Sequence, residues 1–196
     1  MNTSTLRPLR LTIAALICLW VVPARQSEAA DYQVENSHTS LVFAVSHLGY
    51  SYTYGRFNKV GGEFRFEKAS PSTGSFKVVI DATSIDTNDE KRDQHLSSPD
   101  FFDVRQYPKI TFESTSISGT AQDMKLIGKL TMHGVTKAVT IPLKYLGEGK
   151  GPYGMDRCGF MSTFSVKRSD FGMKGMLPAI GDQITIMFSF EGVQKK

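Results

Sequence analysis

Residues 184–190 run Ile184-Thr185-Ile186-Met187-Phe188-Ser189-Phe190. Ile184, Ile186, Phe188 and Phe190 occupy every second position, and Thr185 and Ser189 fall between them. Successive side chains of an extended strand point to opposite faces of a sheet. This stretch is therefore a strand with one apolar face and one wetter face.

The same period of two recurs along the chain. Leu41, Phe43 and Val45 alternate with Val42, Ala44 and Ser46, and Phe64 and Phe66 alternate with Glu63, Arg65 and Glu67. Val78, Ile80 and Ala82 oppose Lys77, Val79 and Asp81, while Ile110 and Phe112 oppose Thr111 and Glu113. Met124, Leu126, Leu130 and Met132 form a fifth face, and Val139, Ile141, Leu143 and Tyr145 a sixth. Phe160, Ser162, Phe164 and Val166 share a seventh. With residues 184–190 that makes eight candidate strands, a pattern suited to an antiparallel sheet wetted on one side. Gly61-Gly62 marks a bend or bulge, Gly134 a tight turn, and residues 147–154 (GEGKGPYG) a loop. Many short strands joined by turns imply a sandwich or a barrel.

Residues 86–104 (DTNDEKRDQHLSSPDFFDV) depart from the pattern. Thr87 followed by Glu90 is a capping box, which starts a helix at Asn88. Ser98-Pro99 is a second start, with proline at the first helical position. Phe101, Phe102 and Val104 then turn an apolar edge inward. Two short helical turns covering one end of the sheet structure are expected here.

The first 29 residues have the form of a cleaved secretory signal. Arg7 and Arg10 precede an apolar run from Leu11 to Val22, Pro23 ends it, and Ser27-Glu28-Ala29 supplies small residues at a cleavage site. The run is shorter than the roughly 20 residues that a spanning helix needs. Cleavage is expected to leave Ala30 first, with Asp31 and Arg25 as alternatives. Cys18 is preceded by Ile17, not by the small residue of a lipoprotein signal. One domain, residues 30–196, follows, and its expected compartment is the periplasm. Removing Arg7, Arg10, Arg25 and Glu28 lowers the formal charge from +4 to about +2. No basic stripe remains for nucleic acid. With 13 phenylalanines and 40% apolar residues, the chain has ample material for a packed interior.

Chemistry-bearing motifs are sparse. Residues 149–154 spell G-x-G-x-x-G, but Pro152 lies inside the match and a strand pattern follows, so a hairpin loop is expected in place of a dinucleotide site. His38, His47, His95 and His133 show no metal-ligand spacing, and no Gly-x-Ser-x-Gly elbow is present. Cys158 follows Arg157, which would activate the thiol if close; a half-buried thiol at a strand start is the simpler reading. Arg92 and His95 lie three residues apart, on one helix face. They and Arg56 are candidates for contact with a ligand's polar head, against the plainer alternative of pairing with neighbouring acids.

The chain resembles the YceI-like family of exported bacterial proteins. The resemblance is carried by residues 38–43 (HTSLVF), 47–51 (HLGYS), 55–57 (GRF) and 84–96, by 100–104 (DFFDV), Tyr107-Pro108, Leu130-Thr131 and 134–136 (GVT), and by 169–172 (SDFG). Thr39 departs from the serine common at that position. What the resemblance implies is an all-β fold: an eight-stranded antiparallel lipocalin-like barrel with one or two short helices near residues 88–104. It further implies an elongated apolar cavity that holds a long isoprenoid lipid or quinone. No catalytic residue, metal or cofactor comes with it, and transient membrane contact and a dimer are both compatible.

Such a cavity would be lined by Leu41, Phe43, Val45, Phe57, Phe64, Phe66, Ile80, Phe101, Phe102, Phe112, Leu130, Ile141, Phe160, Phe164, Phe171, Met173, Ile186 and Phe188. A barrel of eight strands is either filled by side chains or holds one small ligand, and periodicity does not choose between them. The rival readings are an enzyme using His47 or His95 as a base and a structural or partner-binding barrel with a filled core.

Overall fold

The computed structural model describes residues 29–196. Residues 1–28 of the expected signal segment, Cys18 among them, lie outside the described residues. Ten strands and one α-helix follow in the order β1 (Ala30–His47), β2 (Ser51–Phe57), β3 (Val60–Phe66), β4 (Ser75–Asp81), β5 (Ile85–Asp86), α1 (Glu90–Ser97), β6 (Lys109–Thr120), β7 (Asp123–Met132), β8 (Val135–Lys150), β9 (Asp156–Lys167) and β10 (Ile180–Gln194). Every pairing is antiparallel. The sheet runs β1-β3-β4-β6-β7-β8-β9-β10, and β10 pairs back to β1, closing an eight-stranded barrel.

One side of β1 serves two neighbours in succession. Residues 30–33 pair with β3, and residues 41–47 pair with β2. β2 thus extends the wall position of β3 toward the upper end, defined here as the end that carries α1. β5 adds two residues to β2 at Arg56 and Phe57.

Two breaks in register keep apolar residues inside. Tyr32 and Val34 of β1 are buried, as are Leu41, Phe43 and Val45, so the inward parity changes between them. The β1–β10 pairing is interrupted between Glu35 and Ser40 to allow it. Along β6, inward Ile110 and Phe112 give way to Ile117 across a break between Ser114 and Ser116.

Residues 86–104 fold differently from the capping-box reading. Asn88 takes a positive φ of 60°, and the helix starts two residues later than expected. Asp89 caps it, its carboxylate accepting from the Arg92 amide at 3.0 Å. Thr87 is buried and tied to Asp93. The Ser98-Pro99 start yields turns that fold back onto α1, with Phe102 N–H donating to Leu96 O and Val104 N–H to Ser97 O. A backbone spent on those bonds does not propagate a second α-helix. Gly61-Gly62 lies within β3, where a Cβ on Gly62 would come within 2.1 Å of the Lys77 carbonyl.

The lower end is closed by rings. Phe64 stacks on Tyr32 at 4.8 Å and on Phe76 at 5.3 Å, and meets Phe160 edge-on at 5.3 Å. Phe66, Tyr145 and Phe190 complete the cluster around Phe160, which is 0% exposed. Such pairs contribute about 0.5–1.5 kcal/mol each beyond burial. Gly192 makes room for them, since a Cβ there would come within 2.3 Å of the Phe64 ring. Gly192→Val is therefore expected to destabilise the barrel by about 1–3 kcal/mol in urea unfolding. Unchanged stability would mean that the ring cluster is not packed as described.

Candidate functional site: an apolar cavity in the upper barrel

Above the ring cluster the lumen is open. The cavity offers about 160 Å³ to the centre of a water-sized sphere. Leu41, Phe43, Val45, Phe57, Ile80, Phe101, Phe102, Phe112, Leu130, Ile141, Phe164, Met173, Ile186 and Phe188 all lie on its wall. Strand alternation brings most of them there, while Phe101 and Phe102 enter from the turns after α1.

Four residues expected on the wall are elsewhere. Phe64, Phe66 and Phe160 point inward but belong to the lower ring cluster, where neighbouring rings occupy the space a ligand would need. Phe171 is buried in a 3-10 turn behind the wall, where its carbonyl pairs with His133 Nδ1 at 3.0 Å. The wall also includes Phe76, Val78, Leu96, Ile110, Leu126, Met132, Leu143, Ser162, Val166, Arg168, Ile180, Ile184 and Phe190. For the strand residues among these the alternation was the available signal. Leu96 and Arg168, which lie outside the strands, carried none.

Space for the large rings comes from glycines on inward positions. A Cβ on Gly55 would lie 2.3 Å from the Phe43 ring, and one on Gly128 would lie 2.6 Å from the Phe112 ring.

The wall shows almost no free polarity. The Ser162 hydroxyl donates to the Pro142 carbonyl. Arg168, only 4% exposed, donates from Nε to Gly181 O (2.9 Å), from Nη1 to Met173 O (3.0 Å) and from Nη2 to Ile180 O (2.9 Å). Its guanidinium lies 5.7 Å from the centre of the Phe101 ring. Burial pulls its pKa below the ordinary arginine value, and the Asp182 charge opposes that pull.

The three expected head-group contacts do not face the cavity. Arg56 is exposed and lies opposite Asp86 across the β2–β5 ladder. Arg92 is spent on Thr87, with Nε to Oγ1 and Nη2 to the carbonyl both at 2.7 Å. His95 is exposed and sits 3.2 Å from Asp100. His47, at the exposed end of β1, is also off the wall. Arg92 and His95 are thus engaged by partners on neighbouring turns, and Arg56 by its position opposite Asp86.

Elsewhere, the glycine-rich stretch is a loop only in part: residues 147–150 continue β8 and pair with residues 156–159 of β9, and the hairpin connection is confined to residues 151–155. Cys158 is 1% exposed, and burial pushes its thiol up to about 12. That keeps it protonated and unreactive. Glu35, His38 and Glu191 converge on the lower outer surface. Arg157 lies among them, paired with Glu35 and 3.0 Å from Glu191, so the group is an ion-pair cluster.

A closed antiparallel barrel with an apolar-walled lumen is a lipocalin-like fold. Within that class the chain belongs to the YceI-like domain family, which it matches over residues 32–192. A UPF0312 protein of Pseudomonas paraeruginosa is 41% identical over 190 residues, covering 95% of this chain and all of that protein. The BcnA structure of Burkholderia cenocepacia superposes with a TM-score of 0.74 at 24% identity, covering 81% of this chain and 98% of that one. A polyisoprenoid binding domain from Saccharophagus degradans superposes with a TM-score of 0.63 at 16% identity, covering 86% of this chain and all of that one.

The Glu35–Arg157 pair joins β1 to β9 across β10. Hydrogen bonding from Arg157 holds the Glu35 carboxyl at about 2, below its ordinary 4.5. A depressed carboxyl contributes stability that is complete above pH 4.5 and lost as pH falls toward 2. Glu35→Gln should flatten the pH dependence of urea stability in that window. An identical acid profile in the variant would exclude the pair as a contributor.

Proposed function

We propose that this chain is a non-catalytic carrier or store for an isoprenoid lipid or quinone, acting in the periplasm. The observation that carries the reading is the vacant lumen walled by Phe, Leu, Ile, Val and Met with no free polar atom. A prenyl chain has no polar group along its length and needs no matching donors there. Burying several hundred Å² of it yields on the order of 10 kcal/mol at roughly 25 cal/mol per Å². Loss of translational and conformational freedom offsets part of that.

Further support comes from the family and from the Saccharophagus neighbour described as polyisoprenoid binding. The apolar run at residues 11–22 supports export. Leu48, Tyr50, Met176 and Leu177 are exposed at the upper rim, on two loops joined by the Leu48 N–H to Ala179 O bond. Aromatic and apolar side chains of this kind suit transient contact with a bilayer while cargo exchanges. The enzyme reading is weakened, because neither His47 nor His95 reaches the wall.

The test is extraction of the purified exported protein with organic solvent, followed by mass spectrometry of the lipids. An isoprenoid or quinone is expected, with saturable uptake of added quinone. Leu130→Trp, which fills the lumen, should retain the fold by circular dichroism and lower uptake by about tenfold or more. A clean extract with no uptake, or full uptake by Leu130→Trp, would overturn the reading.

A further inference from the structure

We propose that the flank of the upper rim formed by β2 and the loop at residues 172–179 is a bilayer-docking face, and that cargo passes across it by contact with the membrane, without crossing water. The inference rests on the carrier reading above and goes beyond it, by assigning the face, its partner and the route of exchange.

Leu48 and Met176 carry the argument. Both are large apolar side chains, both are about half exposed, and both hold a left-handed backbone, with φ of 54° and 57°. The Cβ of a bulky residue crowds its own backbone in that region, and glycine or asparagine takes it at lower cost. The other non-glycine residues with positive φ among the described residues are Asn88, Asp103 and His133, types for which the conformation is ordinary. At two turn tips, then, the chain keeps a side chain that suits neither the backbone nor water. A partner that takes up both side chains accounts for that choice. The tips are neighbours, since His47 pairs with Ile180 and the Leu48 N–H donates to Ala179 O at 2.7 Å.

The tyrosines of the β1–β2 turn and of β2 extend the same surface. Tyr50 is 88% exposed, and Tyr52 and Tyr54 follow at alternate positions, opposite Ser46 and Ala44 of β1 and also exposed. Leu177 lies next to Met176 and is exposed as well. A ring with an apolar body and a polar tip fits the headgroup layer of a bilayer.

Charge sets the partner and the orientation. Residues 43–55 contain no acidic side chain and no Lys or Arg, and residues 171–181 contain Lys174 alone. Lys174 is exposed, and an ammonium at this level pairs with lipid phosphate. Elsewhere on the same end, the groove outside α1 is lined by Asp86, Asp89, Glu90, Asp93 and Asp103. Lipid phosphates repel that groove, so the molecule leans onto β2 and the 172–179 loop. The cavity adjoins this face, because Met173 and Ile180, on either side of the Met176 tip, lie on its wall.

Trp20 is the only tryptophan and falls in the expected signal segment, so one introduced into the exported chain reports alone. Tyr50→Trp reports on the face. Tyr153→Trp is the control, since Tyr153 is 85% exposed at the β8–β9 turn of the lower end. The probe is a vesicle of phosphatidylcholine and phosphatidylethanolamine with brominated acyl chains. Quenching is expected for Tyr50→Trp and not for Tyr153→Trp. Asparagine suits a left-handed backbone, so the double variant Leu48→Asn, Met176→Asn should match or exceed the wild type in thermal stability. Its vesicle affinity should fall about tenfold or more. Transfer of a hexaprenyl quinone from those vesicles should slow by a similar factor, with equilibrium uptake unchanged. Equal quenching at the two positions, or an unchanged vesicle affinity in the double variant, would overturn the assignment. Tyr50→Trp emission that shifts with protein concentration alone and is not quenched by vesicles would give the face to a second copy of the chain, and would overturn it too. Docking without quinone uptake from any source would leave the face and remove the carrier reading, whereas uptake without docking would remove only this inference.

Discussion

Closure of the sheet through the β1–β10 ladder is the constraint on which everything else depends. That ladder runs from Tyr32 opposite Gln194 to His47 opposite Ile180, interrupted around residues 36–39 and again between Val45 and His47. Without it, β1 and β10 would be open edges and their inner faces would be wetted. With it, the backbone groups of the wall are paired around the ring, and side chains alone decide what fills the interior. The polar stretch at residues 36–39 lets a single strand keep apolar residues inside on both sides of the interruption.

The interior is divided. Below, seven aromatic residues pack against one another around Phe160 and supply a conventional core. Above, the wall residues surround space. A barrel that filled both halves would bury more surface per side chain and be more stable. The unfilled half is a departure from close packing of the kind expected where a ligand supplies the missing contacts. Polarity follows the same division. The ion-pair cluster of Glu35, Arg157 and Glu191 lies outside, near the lower end, and Arg168 is the one charge admitted to the wall above.

Much of this architecture was legible in the residues. Alternation placed Leu41, Phe112, Ile141 and Phe188 inside because each falls in step with further large apolar residues at every second position of its strand. β2 was hardly legible, because Phe57 is the one large apolar side chain among its inward positions, Thr53 and Gly55 are small, and Tyr52 and Tyr54 are exposed. Alternation also could not separate Phe64 and Phe160 from Phe112. All three point inward, and only height along the barrel distinguishes ring cluster from cavity wall. Arg168 was hidden in the polar run Lys167-Arg168-Ser169-Asp170. Its burial depends on three carbonyls, two of them from β10, more than ten residues away. Arg92 and His95 drew attention by spacing on α1, yet they are engaged by Thr87 and Asp100.

The central claim is that the upper lumen is vacant and dry. Crystals of the delipidated protein under xenon pressure test it most directly, since xenon enters apolar voids and leaves packed cores alone. The account predicts xenon between Phe112, Leu126, Leu130 and Phe188, and none within the cluster around Phe160. A lumen free of xenon and filled by the protein's own side chains would contradict it.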